Sequence, residues 1–392
     1  MTTNGTDSGK LKILICLLYY FPHRTGLTIH VQRVAEELVR RGHEVTVLTA
    51  RYKNDLPRDD HEMHEGVRIV RLWAPIRMSR GMIMPAYPWA AYQLMQSHDV
   101  VSIHTPMLET ALVSLISSLA GKKIVATHHG DLLLPPGAFN RFIQGTMFAM
   151  YRFMAQRAAQ LIAYSDDYAR HSYYLQPFLD KVTVNYPPIQ MPAPNPQRVE
   201  ELRAEWAHNG GPLIGFAGRF VREKRPDLLI RALEVINAHY PDVRVVFAGE
   251  YDIPYEDTWE THQELVQQYR DQLIFLGLMY DPQDVADFYA AVDVLALTSD
   301  SECFALVQVE AMLCGTPVVM TDTPGGRVPV QATGMGKLAT RGDWQSIGQA
   351  LVDVLADTDA YRKTRQEIED VFSFQQTVDN YERLFYTYAK RD

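Results

Sequence analysis

Short apolar runs alternate with amphipathic segments along most of this chain, and that rhythm leaves few folds open. Leu11–Leu18 reads as a buried strand and Ile29–Arg41 as a helix with Val31, Val34, Ala35 and Leu38 on one face. Gly42 stops that helix, and Glu44–Thr49 is a second strand. Strand, helix and strand make a βαβ unit, whose parallel strands must be covered by helices on both faces. The alternation continues through strands at Gly66–Leu72, Asp99–His104, Lys122–Thr127, Leu161–Ser165 and Lys181–Asn185, with helices at Thr110–Leu119 and Arg141–Gln160. It resumes at Pro212–Arg219, Val243–Ala248, Ile274–Leu276, Asp293–Thr298 and Pro317–Met320. The fold class is therefore α/β with parallel sheets.

A chain of 392 residues outgrows a single core, so two domains are expected. The break falls where Asn185–Pro196 is rich in proline, which continues neither helix nor sheet. This reading gives a first domain over 1–190, a linker over 191–211, a second domain over 212–373 and a closing helical segment over 374–392. In that last segment Val378, Tyr381, Leu384, Phe385 and Tyr388 recur at helical spacing.

Composition narrows the class further. An apolar fraction of 47% and a charged fraction of 22% are those of an ordinary globular protein. Three cysteines are too few for a disulfide framework, which suits a reducing cytoplasm. Met1–Gly9 is polar, and no run approaches the roughly eighteen apolar residues of a membrane helix, so neither a secretion signal nor a span is expected. The net charge of −9 is unevenly divided. Residues 1–190 hold 20 Lys and Arg against 15 Asp and Glu, a surplus of +5; the remainder hold 18 against 32, giving −14. An acidic total argues against nucleic-acid binding, while the basic half can meet an anionic partner.

Chemistry concentrates between Asp300 and Thr316. Glu302 sits in a strand-to-helix loop and Glu310 about one turn inside the helix that Gly315 ends. Backbone N–H groups at Phe304, Ala305 and Leu306 open that helix, an arrangement that suits an anion such as a diphosphate. Ligands of open parallel sheets bind outside the carboxyl ends of the strands, where this loop lies. Arg219 and Lys224 follow another strand's carboxyl end and can grip a diphosphate from the opposite side. In the first half, Gly26 lies in the loop after the first strand, and His128 and His129 end the strand at Lys122–Thr127. Adjacent histidines on extended chain point opposite ways, so they make no metal site and no metal is expected.

These segments together carry a resemblance. The Glu302-x7-Glu310 spacing with Phe304 and Leu306, and Gly218-Arg-Phe-Val-Arg-Glu-Lys224 with Phe220 in place of Leu, resemble the signatures of retaining glycosyltransferases of family 4. Thr127-His128-His129-Gly130 resembles the family's Thr-x-His-Gly segment, and Thr323-Pro-Gly-Gly326 its second-domain Gly-Gly segment. The chain departs from the pattern at Gly26, where a Gly-Gly pair is usual, at Gly249-Glu250-Tyr251, which lacks a second glycine, and at Val328-Pro329. The resemblance implies the GT-B fold, two doubly wound Rossmann-like domains facing across a cleft. It implies a nucleotide-sugar donor held by the second domain, with Glu310 on the ribose, Glu302 on the transferred sugar and Arg219 with Lys224 on the diphosphate. His129 becomes the active-site histidine, Gly26 part of a substrate loop, and the acceptor a lipid or glycan. Retention of configuration is implied; a cofactor or divalent cation is not. The same scaffold also serves nucleotide-sugar epimerases and phosphorylases, or a non-catalytic nucleotide-sugar-binding partner, but the joint presence of His129, Arg219, Lys224, Glu302 and Glu310 speaks against the last.

Two further expectations belong to this chain alone. Cys303 stands where the family usually has Pro, near a helix start, Arg219 and Lys224, surroundings that lower a thiol pKa. The stretch Arg68–Trp89 interleaves Arg68, Arg71, Arg77 and Arg80 with Trp73, Met78, Met82, Ile83, Met84, Tyr87 and Trp89. Exposed, such a mixture suits an anionic membrane surface; buried, its apolar members are core or cleft lining.

Overall fold

The computed structural model describes residues 9–57, 62–78, 81–132, 137–253 and 257–390. It divides into two compact units, Met1–Pro188 with Gln375–Asp392, and Ile189–Phe374.

The first unit is built on ten strands: β1 Lys12–Cys16, β2 Glu44–Arg51, β3 Glu62–His64, β4 Val67–Trp73, β5 Ile76–Met78, β6 Gly81–Ile83, β7 Val100–Thr105, β8 Ile124–His128, β9 Gln160–Ala163 and β10 Val182–Val184. Eight form one sheet in the order β10-β9-β8-β7-β1-β2-β4-β3, and β5 with β6 make a separate ribbon. All pairings in the large sheet are parallel except β3 with β4 at its edge. Parallel strands covered on both faces need unbroken apolar runs, and β1, β7 and β8 are buried almost from end to end. The chain builds outward from β1 through β2 and then crosses to β7 on β1's other side. The β1/β7 gap is thus a topological switch point, the place where such sheets open a crevice at their carboxyl edge.

The helix Gly26–Arg40 starts with a reciprocal cap between Thr25 and Thr28, and Gly42, at φ 94°, follows its end. Gly26 takes the first helical position, so it opens a helix rather than making a turn. The helix Phe374–Tyr388 buries Val378, Tyr381, Leu384 and Phe385 in the first unit. Arg41 holds it there through Asp379 at 2.6 Å and Glu382 at 2.7 Å, and Asn185 Nδ2 donates to the Thr377 carbonyl at 3.1 Å.

The second unit has six strands, β11 Leu213–Ala217, β12 Arg244–Ala248, β13 Leu273–Gly277, β14 Val294–Leu297, β15 Val318–Thr321 and β16 Gly336–Ala339, in the order β13-β12-β11-β14-β15-β16 and parallel throughout. Its switch point lies between β11 and β14. The helix Pro226–Ile236 buries Leu228, Leu229, Ala232 and Leu233 in a core shared with Val245, Phe247, Ile347 and Leu351.

The linker read over 191–211 requires correction. That stretch contains the helix Pro196–Trp206, which buries Leu202 and Trp206 and belongs to the second unit. Its Arg203 pairs with Asp293 at 3.0 Å and donates to the Ala291 carbonyl at 2.8 Å. Pro196 does not break structure here. It occupies the first turn after the Asn195 cap, where a missing N–H costs nothing and a fixed φ favours the helix. Among the described residues, no helix is long and apolar enough to cross a membrane.

One carboxyl group in the first unit is out of balance with its surroundings. Glu109, just before the helix Thr110–Leu119, is 7% exposed, and neither carboxylate oxygen has a hydrogen-bond partner among the described residues. Burial pushes its pKa up to about 7. A carboxyl whose pKa is raised by folding contributes most below its unfolded value near 4.5 and loses that contribution as pH rises through 7. Thermal unfolding of the wild type should therefore weaken from pH 4.5 to pH 7.5 by up to about 3 kcal/mol more than that of Glu109→Gln, and parallel pH profiles would contradict the assignment.

Candidate functional site

Three loops of the second unit converge at the carboxyl ends of β11, β14 and β15. From the first, Lys224 Nζ makes a close ion pair with Glu302 of the second. Ser299 Oγ donates to the same Glu302 oxygen at 2.8 Å. Thr298 Oγ1 donates toward the carbonyls of Lys224 and Arg225, at 2.8 and 2.7 Å, so the two loops are tied through main chain as well. The third loop joins by an isolated parallel bridge between Glu302 and Gly325. Gly325 sits at φ 78°, and a Cβ there would meet the Cys303 carbonyl oxygen at 2.5 Å, so the approach requires glycine.

This geometry brings Glu302 and Lys224 together and adds a constraint that sequence reasoning missed: the cation is already paired. Burial acts to lower the Lys224 pKa, but the Glu302 charge and hydrogen bond outweigh it and the net movement is upward. Arg219 lies on the loop after β11, with Glu223 Oε1 at 3.7 Å. Phe220 N–H donates to the Glu250 carbonyl at 2.7 Å, which holds the loop after β12 against it. Phe304 is fully buried, and Ala305 takes a left-handed conformation at φ 57° as the cap of the helix Leu306–Leu313. The first bond of that helix runs from Gln308 N–H to the Ala305 carbonyl, 3.1 Å, so the amides at Ala305 and Leu306 precede the bonded turns. Glu310 lies in the helix, and Tyr289 Oη donates to its Oε2 at 3.3 Å.

The expected low pKa of Cys303 is overturned. Burial and then Glu302 push its thiol up to about 12, against a smaller downward pull from Lys224. The Lys224 charge that was to activate the thiol is balanced by Glu302 beside it.

In the first unit, His128 and His129 do point apart. His128 Nε2 donates to Asp131 Oδ1 at 2.9 Å, while His129 joins a buried polar group at the β7 and β8 ends. His129 Nε2 lies 2.8 Å from His104 Nδ1, and its Nδ1 makes a short bond with Tyr164 Oη. Tyr164 Oη also reaches His30 Nδ1 at 3.0 Å, His30 Nε2 reaches Tyr381 Oη at 2.9 Å, and Tyr381 Oη reaches Thr127 Oγ1 at 3.0 Å. At the other end, Ser102 Oγ lies 3.1 Å from His104 Nε2. Burial holds all three imidazoles below the ordinary histidine range, His104 at about 3, with Arg33 adding to the effect on His30 and neighbouring histidines adding to those on His30 and His129. One ring nitrogen from each of the three lies within 4.8 Å of the others. Neither His30 nor His104 was marked from sequence; for His104 the signal available was its place at the carboxyl end of the apolar run Asp99–His104.

The Arg68–Trp89 stretch divides. Arg71 is buried and paired with Glu62 at 2.6 Å, and Met82, Met84 and Tyr87 are core. Trp73 and Trp89 are 66% and 67% exposed. The side chains of Arg77 and Met78, and all of Arg80, lie outside the described residues.

The family described as Glycosyl transferases group 1 matches residues 198–371, and that described as Glycosyltransferase Family 4 matches residues 24–191. The chain is 27% identical over 361 residues to a 2-deoxystreptamine N-acetyl-D-glucosaminyltransferase of Streptomyces fradiae, covering 86% of this chain and 84% of that one. It is 25% identical over 348 residues to a GDP-mannose-dependent alpha-mannosyltransferase of Mycobacterium tuberculosis, with 86% and 85% covered. Among solved structures, HepE of Anabaena in complex with UDP and glucose superposes with a TM-score of 0.77 at 20% identity, over 95% of this chain and 99% of that one.

With the thiol of Cys303 at about 12, its thiolate is scarce at pH 8, and the same holds for Cys16 and Cys314. Native-state alkylation followed by mass spectrometry should show no fast-reacting cysteine. A Cys303 modified at the rate of a free thiol would contradict this geometry.

Proposed function

Since the chain belongs to the family 4 glycosyltransferases of GT-B fold, we propose that it moves a hexose from a nucleoside-diphosphate sugar to a lipid or glycan hydroxyl with retention of configuration and without a metal ion. The observation that carries this reading is the Lys224–Glu302 pair at the β11/β14 switch point, bridged to Gly325 on the third loop. A diphosphate arriving there meets Arg219 and the amides that open the helix Leu306–Leu313, and it competes with Glu302 for Lys224. Transfer of the lysine's hydrogen bond from carboxylate to phosphate frees Glu302 to accept from a sugar hydroxyl. Binding of the phosphate thereby prepares the group that orients the sugar. Glu310 accepts from the ribose hydroxyls, and the first unit holds the acceptor near His129. The similar proteins are named for different transferred sugars, N-acetyl-D-glucosamine and mannose among them, so the test spans several donors.

A membrane-facing role for the first unit draws on its exposed side chains. Trp73, Trp89, Phe139 and Phe142 are each exposed by 64% or more, on a unit whose sequence carries the surplus of positive charge. The helix Thr110–Leu119 packs against both the helix Tyr87–Gln96, which carries Trp89, and the helix Ala138–Arg157, which carries Phe139 and Phe142. Aromatic side chains beside cations suit the surface of an anionic bilayer, and an acceptor presented there would be a lipid or lipid-linked glycan.

Offering UDP-, GDP- and ADP-sugars with a lipid and glycan extract, and reading products by mass spectrometry, should yield a hexose-transfer product from at least one donor. Calorimetric titration with the matching nucleoside diphosphate should weaken by about 1.5–3 kcal/mol in Arg219→Ala and in Lys224→Ala. Unchanged affinity in both would remove them from the donor site. Sedimentation should recover the protein with anionic vesicles but not neutral ones, with recovery falling as salt rises. Equal supernatant fractions for both at low salt would favour a soluble acceptor.

A further inference from the structure

The buried polar group around His129 forms one continuous line: Ser102, His104, His129, Tyr164, His30, Tyr381, Thr127, with six hydrogen bonds between them. A neutral imidazole offers one N–H and one lone pair, and a hydroxyl donates one hydrogen while accepting others. Along a line of such groups, orienting one fixes the next, so the chain has two self-consistent states. In one, every hydrogen points from Ser102 toward Thr127, and His129 carries its proton on Nδ1 and accepts at Nε2. In the other, every hydrogen points the opposite way, and His129 carries its proton on Nε2 and donates to His104. A proton added to one ring would make both its nitrogens donors and send the hydrogens outward in both directions, erasing the choice between the two states, and burial opposes that charge.

We infer that the chain from Ser102 to Thr127 sets the ring tautomer and orientation of His129 from its two ends, which makes His104, Tyr164, His30 and Tyr381 positioning residues for the transfer step. This rests on the reading that His129 stands at the reacting centre. Tyr381 lies on the helix Phe374–Tyr388, so the packing of the last helix of the chain bears on His129 through two hydroxyls and one imidazole. The three ring nitrogens are close enough to hold a metal ion, yet each already has a partner in the line. A cation there would have to break hydrogen bonds of the line.

The two ends give opposite tests. Ser102→Ala leaves His104 Nε2 without its partner; an orphaned acceptor is better tolerated than an orphaned N–H, so His104 keeps its proton on Nδ1 and His129 is driven to the Nδ1–H form. Thr127→Val leaves Tyr381 with no acceptor but His30 Nε2, and His129 is driven to the Nε2–H form. Long-range proton–nitrogen spectra of the full 15N-labelled chain at pH 6 should show neutral rings for His30, His104 and His129 in the wild type. They should also show inverted Nδ1 and Nε2 frequencies of His129 between the two variants, one of them matching the wild type. The variant with the inverted tautomer should lose roughly ten- to a hundredfold in kcat, with the donor KM unchanged. Amide dispersion in spectra of the same labelled samples checks that the first unit of each variant is folded, and calorimetric binding of the nucleoside diphosphate checks the second. A charged imidazole, the same His129 tautomer in both variants, or a stoichiometric first-row metal retained through dialysis against a chelator would overturn the chain. Opposite tautomers with equal kcat would overturn the positioning role and the reading of His129, leaving the donor site of the second unit untouched.

Discussion

A parallel sheet buried on both faces leaves its carboxyl edge as the place where polar groups can gather, and in the second unit the Lys224–Glu302 pair occupies that edge. Taking an ammonium and a carboxylate out of water costs several kcal/mol per ion unless each finds a partner and further hydrogen bonds. Here the Ser299 hydroxyl donates to Glu302, and the Thr298 hydroxyl secures the backbone that carries Lys224. The loops after β11 and β14 are therefore held in one arrangement by charge and by main chain together. Removing either ion would leave the other desolvated and alone, so this pair specifies the loop geometry more than it adds to stability.

The first unit meets the same problem without ions. At its β7 and β8 ends the polar groups are imidazoles and hydroxyls, and each neutral group satisfies the next. Burial that would be costly for an imidazolium costs little for a neutral ring with both nitrogens engaged. Burial, and for His30 and His129 the neighbouring rings, hold these imidazoles below the ordinary histidine range, which favours the neutral groups that the line links. Glu109 marks the contrast, since its carboxylate oxygens are buried without hydrogen bonds and its pKa rises instead.

Much of the β–α rhythm was legible because parallel strands buried on both faces must be continuously apolar, and helices that cover them must be striped. The Glu302–Glu310 spacing was legible for a similar reason, since a loop residue and a residue one turn into the following helix are placed by local geometry alone. Pairings across the sheet were not. Nothing within ten residues of Lys224 announces that Glu302 will neutralise it, and the error over Cys303 followed directly: a cation counted without its partner predicts a lowered thiol pKa where burial and Glu302 raise it. The linker was misread because proline was taken only as a breaker, whereas Pro196 after the Asn195 cap is a helix start. His30 and Tyr381 lie 351 residues apart in sequence, and only the docking of the last helix into the first unit brings them within 2.9 Å.

The two edges differ in what a ligand would have to displace. In the second unit an anion competes with one carboxylate for one cation, an exchange of like for like that screens poorly in a half-buried setting and needs no new charge to be buried. A cluster suited to an anion can thus stand on a half-chain of net charge −14, because the local balance at Lys224, Glu302 and Arg219 acts over a few ångströms while the overall surplus acts across the surface. The line around His129 holds no ion pair to exchange, and its donors and acceptors are already committed to one another. Any group that enters there must fit the direction of that hydrogen bonding or reverse it. The ionic edge is therefore suited to capturing an anion and the neutral edge to orienting a hydroxyl.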